Sequence, residues 1–311
     1  MPHSRLRLVF AGTPAAAVPS LATLAGSRHE LAAVVTRPDA PVGRKRVLTP
    51  SAVASWAEQA AIPVVKAARL DAATTAEISE HAPDLGVIVA YGGLVREPLL
   101  SSPRLGWINL HFSLLPRWRG AAPVQHAILA GDRETGAAVF QLVPELDAGD
   151  VFAEIRQPIG EQQTAGELLE LLAVNGAGLL ERVVDDLSEG RAVAIPQTGE
   201  VTTASKLDRE DGHIRFTESA AATSARIRAM TPEPGAYTEI AGVAVKILSA
   251  RIAEDALASD PGELAWDGRR LLAGTTTAPI ELVAVQPSGK RAMSASDWWR
   301  GLTDRGGLVA R

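Results

Sequence analysis

Leu6-Arg7-Leu8-Val9-Phe10-Ala11-Gly12-Thr13-Pro14 opens the regular part of this chain. Residues 6–10 form a short apolar run closed by Gly12 and Pro14, the pattern of a mostly buried strand. A helix is expected over 14–25, because Pro14 suits a first helical position, where its missing N–H has no partner to lose. The same unit recurs downstream. Runs at 31–35, 62–65, 85–90 and 107–110 read as buried strands, and helices are expected over 51–61 and 72–81 with Ser51 and Asp71 as N-caps. Such alternation predicts an α/β fold, an open, mostly parallel, Rossmann-like sheet covered by helices on both faces. A helix from Thr164 to about Ser188 closes the unit, with Leu168, Leu171, Leu172, Leu179 and Leu180 falling largely on one stripe.

At Glu189 the texture changes. Residues 189–205 are polar and carry Pro196 and Gly199, which marks a linker between a first domain at 1–188 and a second at 206–311. The second holds one expected helix at 220–230 and expected strands at 236–240, 243–251, 262–266, 270–273 and 280–285. Five short strands and one helix suggest a C-terminal small β-barrel of the oligonucleotide-binding (OB-like) type.

The 311 residues are 46% hydrophobic and 22% charged, enough apolar material for sizeable cores. With no cysteine, a disulfide framework, a thiolate metal site and a cysteine nucleophile are all excluded. No apolar run approaches the roughly 20 residues of a membrane span. The first ten residues lack the apolar region of a signal peptide, so the chain is expected to be cytoplasmic. A net charge of −5 speaks against general electrostatic wrapping of nucleic acid. The charge is uneven: residues 1–204 hold 17 basic and 22 acidic side chains, whereas 205–311 hold 14 of each. From Gln286 onward five basic residues face two acidic ones.

In an open α/β sheet, ligands bind beyond the carboxyl ends of the strands. After the first strand comes Ala11-Gly12-Thr13-Pro14, which lacks the second and third glycines of a dinucleotide-binding loop. After the fourth comes the turn Tyr91-Gly92-Gly93. The fifth opens the densest stretch in the chain, Asn109-Leu110-His111-Phe112-Ser113-Leu114-Leu115-Pro116-Arg117-Trp118-Arg119-Gly120. Asn109 and His111 are two apart and point to one side of a strand. An amide beside an imidazole can stabilise an oxygen that gains charge, and the imidazole can move a proton near pH 7. An isolated strand-end histidine is more often satisfied by backbone, and an Arg117/Arg119 pair is more often a solvated turn. The acidic loop Glu145-Leu146-Asp147-Ala148-Gly149-Asp150 reads either as a site loop or as a hairpin turn, and it lacks the ligand count of a metal site.

Taken together, Asn109, His111, the run Ser113-Leu114-Leu115-Pro116, Arg119-Gly120 and Leu146-Asp147-Ala148-Gly149-Asp150 resemble the folate-dependent formyltransferase family. The likeness extends through Phe10–Pro14, the loop 36–44, Arg117–Pro123 and the Arg226–Tyr237 region, nearly end to end, and it points to the branch that acts on aminoacylated tRNA. The resemblance implies transfer of a formyl group from 10-formyltetrahydrofolate, a cosubstrate, to the α-amino group of methionine on initiator tRNA, without a metal. It implies Asn109, His111 and Asp147 as the catalytic trio and Ser113, Leu114, Leu115 and Pro116 as part of the folate-binding loop, with 87–95 lining the pterin pocket. The elementary chemistry agrees. Amine attack on a formyl carbon builds an oxyanion, which needs donors, and an excess proton, which needs a carrier. The family's tRNA-contacting insertion corresponds to 37–49, where Arg44, Lys45 and Arg46 concentrate positive charge. The family pattern has a glycine between those basic residues and this chain has none. Lys206, Lys290 and Arg291 are the expected tRNA contacts of the linker and second domain. Nothing in the sequence demands more than a monomer.

Other readings are weaker. A glycinamide-ribonucleotide enzyme needs a phosphate loop that Ala11–Pro14 does not supply, and a formyl-folate hydrolase would carry a regulatory domain ahead of the first strand. A sugar formyltransferase shares the trio but has no use for the 44–46 charge. The incomplete glycine fingerprint argues against an oxidoreductase, and the clustered Asn/His/Asp argues against a purely RNA-binding protein.

Overall fold

The computed structural model describes residues 5–43 and 45–311, so the expected contact Arg44 lies outside the described residues. The chain gathers into two compact units. One holds the chain up to Pro123 with Glu134–Pro158 and Leu169–Ala204; the other holds Val124–Arg133, Ile159–Leu168 and Ser205–Arg311.

In the first unit the strands are β1 (Arg7–Gly12), β2 (Glu30–Thr36), β3 (Ala40–Val42), β4 (Val47–Thr49), β5 (Val64–Lys66), β6 (Leu85–Val89), β7 (Trp107–His111), β8 (Arg119–Gly120), β9 (Glu134–Gln141), β10 (Val151–Pro158) and β11 (Thr203–Ala204). Seven of them form one sheet in the order β10-β9-β7-β6-β1-β2-β5. The pairs among β7, β6, β1, β2 and β5 are parallel, whereas β9 and β10 join antiparallel. From β1 the chain moves outward to β2 and β5, then returns to the other flank for β6 and β7. The switch point therefore falls between β1 and β6, where an open α/β sheet forms its ligand crevice.

The helices of this part of the chain are α1 (Val18–Gly26), α2 (Ala52–Gln59) and α3 (Ala72–Glu80) in the first unit, α4 (Pro123–Leu129), nearly all of which belongs to the other unit, and α5 (Ala165–Ser188), which belongs to the first unit from Leu169 on. Ser51 Oγ and Asp71 Oδ1 accept from the N–H groups of Ala54 and Thr74, each at 3.0 Å, so both expected caps are in place. The first helix starts later than expected. Ala15–Ala17 form a 3₁₀ turn and α1 begins at Val18, with Pro19 in its first turn. A helix begun at Pro14 would put Pro19 in its interior, at a cost of about 3 kcal/mol. Along α5, Leu168, Leu172, Leu179 and Leu180 are buried, while Leu171 is exposed.

β9 and β10 went unrecognised in the sequence. β10 alternates Val151, Ala153 and Ile155 with polar Glu154 and Arg156, and Arg156 pairs with Glu134 of β9 at 2.7 Å. Charge along an outer strand discourages further strand addition.

The second unit holds α6 (Ala220–Ala229), β12 (Tyr237–Ile240), β13 (Val243–Ile252), β14 (Leu264–Trp266), β15 (Leu271–Ala273), β16 (Ile280–Pro287), β17 (Met293–Ser294) and α7 (Ala295–Arg300). Its antiparallel sheet runs β12-β13-β16-β15-β14, with β17 added on β16. Residues 308–311 close it into a small barrel. Arg311 exchanges both backbone hydrogen bonds with Glu239, next to Ile240 in β12, while Leu308 and Ala310 bond to Leu264 and Gly262 at β14. Closure removes two sheet edges at once. Of the basic stretch that begins at Gln286, only the last residues, ending in Arg311, form this seam.

Candidate active site

β1, β6 and β7 end side by side because their pairings are parallel. Beyond those ends, Thr13 Oγ1 donates to the carbonyl of Tyr91 at 2.9 Å, tying the β1 turn to the β6 turn. Val87 and Val89 are core side chains, and Tyr91 is buried with its hydroxyl on the carbonyl of Ala67 at 3.3 Å. Burial pushes the Tyr91 phenol up from its ordinary value.

Asn109 and His111 lie on β7. The Oδ1 of Asn109 is buried and finds no partner among the described residues, and unpartnered buried acceptors are rare enough to mark a site. His111 is buried and packs edge-on against Phe140 at 6.4 Å between ring centroids. Its Nε2 lies 2.9 Å from the carbonyl of Trp118. A carbonyl can only accept, so Nε2 donates to it and Nδ1 points the other way. There it faces Asp147 Oδ2 at 3.8 Å, too long for a direct hydrogen bond.

Asp147 comes from the loop between β9 and β10, and two features fix it. Its Oδ2 accepts from the backbone N–H of Gly120 at 2.7 Å, and its own backbone is left-handed at φ 46°. Gly149 lets the loop press on β9, since a Cβ there would collide with the carbonyl of Gln141. Trp118 is also left-handed, at φ 61°, a strained state for a bulky residue. Strain of this kind persists only where the surroundings over-determine it.

The surroundings do so through a segment that sequence reading assigned to the linker. Gln197 donates from Nε2 to the carbonyls of Asp147 and Gly149, both at 2.8 Å, and accepts at Oε1 from Arg119 Nη2 at 2.6 Å and Nε at 3.2 Å. Thr202 Oγ1 accepts from the N–H of Trp118 at 2.9 Å. β11 then pairs with β8. Gly120 is required at that crossing, with φ 123° and the carbonyl of Ala204 only 2.6 Å from where a Cβ would stand. No local signal in 189–205 announces these bonds.

The run Ser113–Pro116 is turned inward. Ser113 is fully buried with Oγ donating to the carbonyl of Arg117 at 2.6 Å, and Leu115 packs with Ala138 and Phe140. Leu114 lies over Gly136. The 37–49 insertion is a β3–β4 hairpin with Lys45 and Arg46 exposed at its tip, and Val42, Val47 and Leu48 are exposed along it. In the second unit Lys206, Lys290 and Arg291 are exposed. No group of metal-ligating side chains occurs among the described residues, and no described helix is long and apolar enough to cross a membrane.

A mostly parallel sheet with helices, with an amide, an imidazole and a carboxylate beyond its strand ends, in a chain that also carries a small antiparallel barrel, is the architecture of a formyl transferase. The sequence matches the formyl transferase family over residues 6–184 and the formyl transferase C-terminal domain over 206–303, and the chain belongs to that family. Curated relatives similar over nearly the full chain include methionyl-tRNA formyltransferases. That of Leifsonia xyli subsp. xyli is 59% identical over 296 residues, 95% of this chain and 97% of the relative. That of Clavibacter sepedonicus is 57% identical over 306 residues, covering 98% and 100%. Among solved structures, the N-formyltransferase of Helicobacter canadensis, in complex with folinic acid and dTDP-3-aminofucose, has a TM-score of 0.67 at 18% identity over 89% of this chain and 98% of its own. That likeness is one of fold.

Proposed function

We propose that this chain formylates the α-amino group of methionine on initiator tRNA, with 10-formyltetrahydrofolate as the cosubstrate, and that Asn109, His111 and Asp147 carry the reaction. The observation that carries the reading is His111 held by Trp118 on one nitrogen and facing Asp147 with the other, beside the unpartnered Oδ1 of Asn109. Full-length relatives named for this activity support it.

The folate brings an activated formyl group, and the residues present suit it. An amine attacking the formyl carbon generates a negative oxygen and a surplus proton, while the folate nitrogen must gain a proton as it leaves. The Asn109 Nδ2 donor suits the oxygen, and the buried Oδ1 suits an N–H of the incoming amine. His111 Nδ1 is the ring atom able to take the proton and return it to the leaving nitrogen. Asp147 stabilises the imidazolium so formed, while the Trp118 carbonyl keeps the ring from turning. Because Ser113 and Leu115 face inward, the 113–116 run serves the folate through its backbone and the shape of the turn. Val87–Val95 supply the wall beside it. The basic hairpin with Arg44, Lys45 and Arg46, and Lys206, Lys290 and Arg291 in the other unit, meet tRNA phosphates and position the substrate. The chain works as a monomer in this reading, in the cytoplasm where charged initiator tRNA is found.

The test is transfer of labelled formyl from 10-formyltetrahydrofolate to charged initiator tRNA, with free methionine and nucleotide-linked amino sugars as controls. Transfer to the tRNA alone is expected; transfer only to a sugar overturns the reading.

A further inference from the structure

We infer that Gln197 is a positioning residue for formyl transfer, holding the Asp147 loop and the Arg119 guanidinium in one frame; the inference rests on the roles given above to His111 and Asp147.

The hydrogen-bond inventory of the side chain is full. Both N–H groups of the amide are used on the carbonyls of Asp147 and Gly149, and the oxygen accepts twice from Arg119. The amide orientation is fixed by its partners, since carbonyls accept and a guanidinium donates. None of these bonds is local: the partners lie 50, 48 and 78 residues away. They cross-link the loop after β9 to the strand after the His111 turn.

Asp147 is thereby held at two places, its main chain by Gln197 and its carboxylate by the N–H of Gly120. Its left-handed backbone has reason to relax once the first of these is lost. A few residues along the same segment, Thr202 fixes the N–H of Trp118, the residue whose carbonyl holds His111. Before Gln197, Ile195 and Val151 exchange backbone bonds in both directions at 2.9 Å. The segment from Ile195 to Ala204 is thus a strap that fastens both members of the His111–Asp147 pair. Gln197 is the fastening nearest the carboxylate, and the 3.8 Å gap between the two is the quantity it controls.

The experiment compares wild type, Gln197→Ala and Gln197→Glu, each also combined with Asp147→Ala, in steady-state and single-turnover formyl transfer to charged initiator tRNA, with thermal melts alongside. Loss of positioning is expected to lower kcat about 10- to 100-fold while KM for tRNA and folate stays within about threefold. Gln197→Glu keeps the acceptor for Arg119 and loses both donors to the loop, so it is expected to match Gln197→Ala. In the Asp147→Ala background the further loss is expected to shrink to less than about threefold, because Gln197 acts through Asp147. Near-normal kcat in Gln197→Ala overturns the inference, as does an equal fold-loss with and without Asp147. Normal turnover in Gln197→Glu alone shows that only the Arg119 contact matters, and also overturns it. Should Gln197→Ala not fold, the near-isosteric Gln197→Glu decides by the same cycle. A wild-type enzyme that transfers nothing to charged tRNA counts against the proposed function instead.

Discussion

The β7 site and the β3–β4 hairpin both lie in the first unit, and they are built in opposite ways. At the site, His111 and Asp147 are 6% and 9% exposed, and the groups that hold Asp147 lie 27 and 50 residues away in the chain. The hairpin residues Ala40–Val42 and Val47–Thr49 are all exposed, and their pairing is local. Its base is secured by Asp39 on Lys66 at 2.8 Å and by Arg37 on the carbonyl of Ala68 at 2.7 Å. Proton transfer and charge stabilisation depend on tenths of an ångström, whereas attraction to a phosphate falls off over a Debye length of about 8 Å at physiological salt. Rigid burial is needed for the first and is superfluous for the second. The comparison therefore predicts where each kind of damage will show.

The largest effect belongs to the buried pair. His111→Ala and Asp147→Ala are each expected to lower kcat by about two or more orders of magnitude, with much smaller changes in folate binding. The double variant is expected to be far from additive. Asp147→Asn sharpens the test, because an amide oxygen still accepts from the N–H of Gly120 and keeps the loop in place. If that variant turns over at close to the wild-type rate, Asp147 is a loop anchor and no more.

Next in size is Gly149→Ala. Its Cβ would strike the carbonyl of Gln141, so the Asp147 loop must move away from β9. A shift near 1 Å costs about 100-fold in rate. Overpacking of this sort also destabilises by about 1–3 kcal/mol. Kinetics and a denaturant melt on the same preparation read both. An unchanged kcat beside a lowered melting point would mean that the loop position is unimportant to the chemistry.

What could be read in the sequence follows the same division. Ser51 and Asp71 announce their helices because a cap bonds three residues ahead, within sight of a local pattern. The five parallel strands were legible as apolar runs, and Asn109 and His111 as a same-side pair at a strand end. β9 was harder to see: Glu134–Gln141 begins with a charged residue and carries small side chains at Gly136, Ala137 and Ala138. The strap was invisible. Gln197 and Thr202 sit in a polar stretch with Pro196 and Gly199, which reads as a linker, and their partners lie 48 to 84 residues away. The last residues likewise gave no sign that they close the barrel, because their ladder partners are Glu239 and Leu264.

The hairpin is expected to fail differently. Replacing Arg44, Lys45 and Arg46 with Ala should lower kcat/KM for charged tRNA about tenfold or more at low salt, leaving folate affinity alone. Each phosphate contact removed is expected to reduce the log–log salt slope by roughly 0.7–0.9. Arg44→Ala alone is the critical variant. Normal transfer at all salt concentrations would reduce the hairpin to a solvated excursion. A change confined to kcat at saturating tRNA would instead place it with the buried site and break the comparison.

The smallest effect is expected at Lys290 and Arg291, which head the turn between β16 and β17. Gly289 takes φ 78° there, and Lys290 donates its N–H to the carbonyl of Pro287 at 3.0 Å while its own carbonyl accepts from Gln286 at 3.1 Å. The backbone of the turn is thus fixed and the two cations are exposed, a fitting presentation for a phosphate. Other cations of this stretch are already engaged. Arg300 pairs with Asp297, and Arg305 donates to the carbonyls of Leu302 and Arg300. With a net charge of −5, the protein must hold a polyanion through such local groups and not through its overall field. Lys290→Ala with Arg291→Ala is therefore expected to weaken tRNA binding a few-fold near 50 mM salt and to flatten its salt dependence by roughly 1.5 units of slope. The difference should fade by 200 mM, and kcat at saturating tRNA should not change. An unaltered slope would remove these two residues from the tRNA surface, and a fall in kcat would mean that the barrel turn reports on the chemistry it is here held to ignore.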